Sequence, residues 1–247
     1  MESATLVALS RQMSLQRKLD VIADNIANIT TDGFKRQSLS FEEHVMPKAR
    51  ASSFEAGDQM NSFVSDWTTT TDFSSGDIEQ TGNELDVAIE GNAFFAVQTP
   101  NGERYTRAGN FRIDNTGTLI NASGFPVLGD GGPIRFENNE VGVEIGTDGA
   151  IASSTGPKGK LRIVSFDDDR LLQKEGENLY TSTTATIQPT TTARVMQGAI
   201  ERSNVSGVTE ISRMIEVSRS YQQVSSIMRA QNELQSRAID TLGSLRA

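Results

Sequence analysis

Apolar or small side chains at Ala8, Leu15, Leu19, Ile22, Ile26 and Ile29 recur at steps of four and three, with Gln12 in the one gap. This 3.5-residue period predicts a helix near the start of the chain. Leu6, Leu9 and Met13 form a second short row, giving that helix apolar character on more than one side. Its end is expected at Thr30-Thr31-Asp32-Gly33, where Gly33 can take the left-handed conformation that stops a helix. Toward the other end Val217, Tyr221, Val224, Met228, Gln231, Gln235, Ala238, Leu242 and Leu245 repeat the same alternation, with Ile227 and Leu234 on an adjacent row. No Pro or Gly interrupts residues 208–242, so a helix of about 35 residues, roughly 50 Å long, is predicted. Long helices of heptad period bury their stripe against partners. A pair of core helices in an ordinary globular domain is the other reading.

Between the ends the period falls to two. Leu85, Val87 and Ile89 alternate with Asp86, Ala88 and Glu90, Val141, Val143 and Ile145 with Gly142, Glu144 and Gly146, and residues 161–166 form another candidate strand. Asn101-Gly102, Asp114-Asn115-Thr116-Gly117, Asp130-Gly131-Gly132 and Asp148-Gly149 supply the turns. The fold class expected is therefore α+β, with long N- and C-terminal helices forming a coiled-coil-like layer and a central antiparallel β barrel or sandwich. The organisation expected is a helix over 1–36, a Ser/Thr-rich linker with short extended segments over 37–81, a β domain over 82–190, and a return linker with the second helix over 191–247.

Charge sharpens this division. Residues 37–199 carry 12 basic and 23 acidic groups, whereas 1–36 and 200–247 each sum to +1. An acidic middle argues against nucleic acid, since neutralising phosphates needs a basic patch. Nearly neutral ends suit close packing against copies or relatives. Cysteine is absent, which excludes disulfide frameworks, thiolate nucleophiles and cysteine-ligated zinc. No apolar run reaches membrane-spanning length, and the first residues lack the layout of a cleavable signal peptide. His44 is the sole histidine and sits in Phe41-Glu42-Glu43-His44-Val45, without metal-ligand spacing or a glycine elbow. Asp167-Asp168-Asp169 follows a candidate strand and reads as a solvated hairpin turn, and Asp114–Gly117 lacks the spacing of a calcium loop. The glycine-rich run 124–132 leads into Pro133 and a strand, so no helix N-terminus stands ready for phosphate. No catalytic, cofactor or metal residues are expected.

The ends carry recognisable motifs. Ala23-Asp24-Asn25-Ile26-Ala27-Asn28-Ile29-Thr30-Thr31-Asp32-Gly33-Phe34-Lys35 resembles the N-terminal signature of the flagellar basal-body rod and hook protein family, with Asp24 where that family commonly has Asn. Ile200-Glu201-Arg202-Ser203-Asn204-Val205 and Met214–Tyr221 are similar to its C-terminal motifs. Gly82–Gly91, Phe94-Phe95-Ala96-Val97 and Tyr105–Phe111 resemble the branch with a single central β domain, the proximal rod first and the distal rod as its rival.

The resemblance implies a structural subunit of the proximal rod, without enzymatic activity, whose terminal helices pair and stack with those of neighbours into the inner wall of a helical tube. Implied partners are copies of itself, other proximal and distal rod proteins, and the flagellar type III export apparatus, with no nucleic acid, small-molecule substrate or membrane span. The implied location is the basal-body rod crossing the periplasm, reached without a cleaved signal peptide. The expected assembly seam comprises Leu15, Leu19, Ile22, Asn25, Ile26, Asn28 and Ile29 on the first helix and Val217, Val224, Met228, Gln231, Gln235 and Leu242 on the second. Asn25, Asn28, Gln231 and Gln235 are the expected polar register-setters of that seam. Motif positions are Gly33, Phe34, Lys35, Glu201, Ser203, Asn204, Val205, Arg219 and Tyr221. Rival readings are an exported β-domain enzyme, which needs carboxylates gathered by the fold, and an adhesin on a coiled-coil stalk.

Overall fold

The computed structural model describes residues 2–45, 62–137, 140, 142–182, 186–189 and 193–244. The chain divides into two units, one of residues 1–27, 37–70 and 206–247, the other of 28–36 and 71–205.

In the first unit α1 (Glu2–Ala27) packs along α2 (Gly207–Ser244). At 38 residues α2 spans ~57 Å. Glu210 in its first turn complements the helix dipole, and its N–H donates to the Ser206 carbonyl (3.0 Å) to start the ladder. The first helix ends earlier than its stripe predicts. Asn28 and Ile29 lie in a turn, where the Thr31 N–H donates to the Asn28 carbonyl (3.2 Å) and the Thr31 hydroxyl to Asn28 Oδ1 (3.2 Å). Asn and Thr side chains offer the backbone these local alternatives to a helix, and the β-branched run Ile29-Thr30-Thr31 favours them. The unit also holds β1 (Gln37–Val45) and β2 (Ser62–Thr71), which pair as a two-stranded ribbon within the stretch expected to be a linker with short extended segments. The middle of that expected linker, 46–61, lies outside the described residues, as do the side chains of His44, Trp67 and Leu242.

The second unit holds the sheet structure, and no closed barrel forms among its described residues. A six-stranded open antiparallel sheet instead runs Leu172–Gly176, Leu179–Ser182, β6 (Gly102–Thr106), β5 (Phe94–Thr99), Ile163–Phe166 and Ile187–Pro189, with β3 (Ile78–Gln80) and β4 (Val87–Glu90) in separate ribbons. β3 pairs Ala199–Glu201, β4 pairs Arg194–Gln197, and Glu144–Ile145, Ala150–Ser153 and Gly156–Lys160 form a three-stranded sheet. Two-residue strands such as Arg112–Ile113 and Leu119–Ile120 are too short to carry a continuous ladder around a barrel.

β5 is the central element. Phe95 and Val97 join a core with Val87, Ile89, Phe111 and Leu119, while Phe94 and Ala96 enter a second with Tyr105, Val164, Phe166 and Tyr180. A strand covered on both faces reads as an unbroken apolar run, and Ala93-Phe94-Phe95-Ala96-Val97 is one. Edge-to-face contacts of Phe94 with Phe73 and Phe166 (5.6 Å between centroids in each) tie the second core together. Asp167–Asp169 forms no hairpin turn; Asp168 caps a short 3-10 turn, Asp169–Leu171, by accepting the Arg170 N–H (3.0 Å).

Candidate functional site

Motif residues from the two ends of the chain meet inside the second unit. Gly33 has φ +66°, and its N–H donates to the Glu201 carbonyl at 2.7 Å. One residue on, the Phe34 carbonyl accepts the Asn204 N–H (3.4 Å). Asn204 stitches three segments together. Its Oδ1 accepts the Arg36 N–H (2.7 Å), and its Nδ2 donates to the carbonyls of Asp72 (2.8 Å) and Ser74 (3.0 Å). Ser203 Oγ accepts the Val205 N–H (3.3 Å), and the Val205 side chain is buried.

Beneath this stitching lies a buried charge cluster. Lys35 is fully buried, and its Nζ lies 2.6 Å from Glu201 Oε1 while donating to the Ser74 carbonyl at 2.7 Å. The same carboxylate oxygen accepts the Gly76 N–H (2.9 Å), and Arg107 Nη1 stands 3.5 Å from Glu201 Oε2. Arg107 also donates to the carbonyls of Gly91 (2.7 Å) and Ile89 (3.4 Å), with its guanidinium 5.2 Å from the centre of the Phe94 ring. Burial pushes both Lys35 and Arg107 below their ordinary pKa values, and the Glu201 charge opposes the fall. Burial also raises the pKa of the neighbouring Tyr180 hydroxyl. Asp32 seals the outside, pairing with Arg202 Nη1 (3.0 Å) and accepting from Asn110 Nδ2 (3.2 Å), while Arg202 Nε reaches Glu79 at 2.7 Å. Burial raises the Asp32 pKa, and Arg202 pulls it back.

Gly33, Phe34, Lys35, Glu201, Ser203, Asn204 and Val205 are thus brought together, whereas Arg219 and Tyr221 belong to the first unit. Sequence reasoning missed Arg107 as a member. Its place in the Tyr105–Phe111 motif was a signal, but nothing local says that this arginine faces a carboxylate 94 positions away.

In the first unit, Leu15, Leu19 and Ile26 are half-buried and Ile22 buried on α1, and Val217 is buried with Tyr221, Val224, Met228, Gln231 and Gln235 half-buried on α2. Gln12 Nε2 donates to the Tyr221 hydroxyl across the pair (2.9 Å). Arg219 is exposed. Off this seam, large apolar side chains face solvent: Leu9 and Met13 on α1, and Val208 (80%), Ile211, Ile215, Ile227 (62%) and Leu234 (66%) on α2. Among the described residues no helix is long and apolar enough to cross a membrane, and no cluster of three or more His, Asp or Glu side chains is placed to hold a metal ion.

Three family models match parts of the chain. A "Flagella basal body rod protein" family model matches residues 6–35, a "Flagellar hook protein FlgE/F/G D1 domain" model 88–153, and a "Flagellar basal body rod FlgEFG protein C-terminal" model 196–241. The flagellar basal-body rod protein FlgF of Caulobacter vibrioides is 39% identical over 247 residues, spanning 99% of this chain and 100% of the relative. FlgF of Mesorhizobium japonicum is 34% identical over 99% of both chains. FlgG of Bacillus subtilis is 34% identical over 92% of this chain and 94% of its own.

Proposed function

The chain belongs to the flagellar basal-body rod protein family, and on that premise we propose that it is a structural subunit of the proximal rod, built into the tube through its terminal helices. End-to-end similarity to FlgF relatives favours the proximal over the distal position, because the FlgG similarity leaves part of each chain uncovered. The observation that carries the helix assignment is the set of three exposed apolar groups on the two helices. Val208, Ile211 and Ile215 follow each other at helical spacing on α2, Ile227 and Leu234 lie one heptad apart, and Leu9 and Met13 stand on α1. Apolar rows of this kind bury themselves against further helices. Repeating such a contact between copies and relatives without closure generates a helical tube. The type III export apparatus is the delivery partner in this reading, and the basal body the destination.

Deleting the gene and imaging isolated basal bodies tests the proposal. Structures that stop before the distal rod or hook are expected, and complete hooks and filaments would overturn it. The contact itself is tested by returning a chain with Ile227→Gln and Leu234→Gln. Exposed substitutions of this kind should move unfolding by less than about 0.5 kcal/mol each, while motility should be largely lost. Full motility would mean that this exposed row makes no contact between subunits.

A further inference from the structure

Asn25 is expected to set register in the seam, and its carboxamide also bonds the backbone of a strand within the chain. The side chain is 1% exposed. Its Oδ1 accepts the Gln37 N–H (2.9 Å) and its Nδ2 donates to the Gln37 carbonyl (2.8 Å). An amide that exchanges both bonds with one residue does what a neighbouring strand does in a hydrogen-bonded antiparallel pair. Gln37 is the first residue of β1, so Asn25 supplies a one-residue strand edge at the root of the β1–β2 ribbon. The same Nδ2 lies 3.4 Å from Glu210 Oε2 in the first turn of α2, and Arg213 Nη1 holds the other carboxylate oxygen at 2.6 Å. Three elements of the first unit are therefore joined through one amide.

The chemistry is restrictive. Aspartate lacks the donor, leucine lacks both groups, and glutamine is one methylene too long for a fully buried position. A two-stranded ribbon is marginal by itself, so its root needs such an anchor.

We propose that Asn25 is a positioning residue for rod assembly, which fixes where the β1–β2 ribbon leaves the helix pair by clipping the backbone of Gln37 and being held in that rotamer by Glu210. The proposal rests on the rod reading above.

The test uses full-length chains carrying Asn25→Asp alone, or Asn25→Asp with Glu210→Gln, beside the unaltered chain. Each is returned to the deletion strain for swimming and purified for amide hydrogen exchange. Aspartate keeps an acceptor for the Gln37 N–H, loses the donor to its carbonyl, and sets a carboxylate against Glu210. The second change restores a bond between positions 25 and 210, because the new glutamine donates, but still leaves the Gln37 carbonyl without its partner. Both variants should fail to swim and should exchange residues 37–40 about tenfold or more faster, the scale of a lost buried hydrogen bond. Val87–Val97 should keep its protection in both. Native swimming and protection in the single variant would overturn the proposal, as would their recovery in the double variant, which would reduce Asn25 to an interhelical bond. Failure of the unaltered chain to restore swimming would sink the rod reading instead, while the exchange data still judge the clip.

Discussion

A chain carrying Glu201→Leu should lose cooperative folding of residues 28–36 and 71–205. The substitution removes the one carboxylate that both Lys35 and Arg107 face, leaving two cations in a site where neither side chain is more than 1% exposed. Breaking a buried ion pair by deleting one partner costs about 3–5 kcal/mol. The Gly76 N–H loses its acceptor in the same step, which adds about 1–3 kcal/mol. Against a total stability of about 5–15 kcal/mol for a typical domain, the sum is a large fraction of what holds the unit together. Urea unfolding followed by exchange protection at Val87–Val97 reads the outcome. Adding Lys35→Met to Glu201→Leu should recover much of the loss, because the remaining Arg107 keeps the Gly91 and Ile89 carbonyls and the Phe94 ring. A wild-type midpoint for Glu201→Leu alone would show that water, rather than Glu201, compensates the two cations. Well-packed apolar residues often replace buried ion pairs without loss, so the expected contribution of this trio is specificity. It requires the segment after the first helix and the segment before the second to meet in one register.

The two helices were legible because heptad spacing is a local property, and from Val217 to Gln235 every position of the stripe read from sequence is buried or half-buried on α2, while Ala238 is exposed. The end of α1, expected at Thr30–Gly33, comes at Ala27 because Asn28 keeps the apolar spacing while its side chain and carbonyl serve a turn. The barrel was an overreading of a different kind. Alternation and turn residues identify strands, but which edges pair is decided by contacts distant in sequence, and the partners here are as far apart as β3 with Ala199–Glu201. β5 has no alternation because both faces are buried, and its place at the middle of the sheet follows from that. The junction was half legible. Its members were picked out as motif residues, but the bond between Lys35 and Glu201 spans 166 positions, and no local pattern encodes it. Arg107, Ser74 and Gly76 complete the cluster through burial and backbone geometry, neither of which leaves a spacing to read.

Replacing Gly33 with alanine should be nearly as damaging as removing Glu201, and a second glycine separates the two reasons. Both Gly33 and Gly82 hold positive φ, +66° and +74°. A left-handed conformation costs an ordinary residue about 1–2 kcal/mol. At Gly82 nothing lies within 4 Å of an added Cβ, so Gly82→Ala should lose only that amount. At Gly33 the Cβ would stand 2.4 Å from the Ala108 nitrogen and 2.5 Å from the Arg107 carbonyl carbon, both backbone atoms that cannot rotate away. Relief requires the 28–36 segment to lift from Arg107-Ala108, and the Gly33 N–H bond to Glu201 and the Lys35 pair are attached to that segment. Overpacking adds about 1–3 kcal/mol, so Gly33→Ala should lose about twice as much stability as Gly82→Ala in the same urea experiment. Equal losses would mean that the close approach to Ala108 relaxes freely, and that the glycine serves its backbone angle alone.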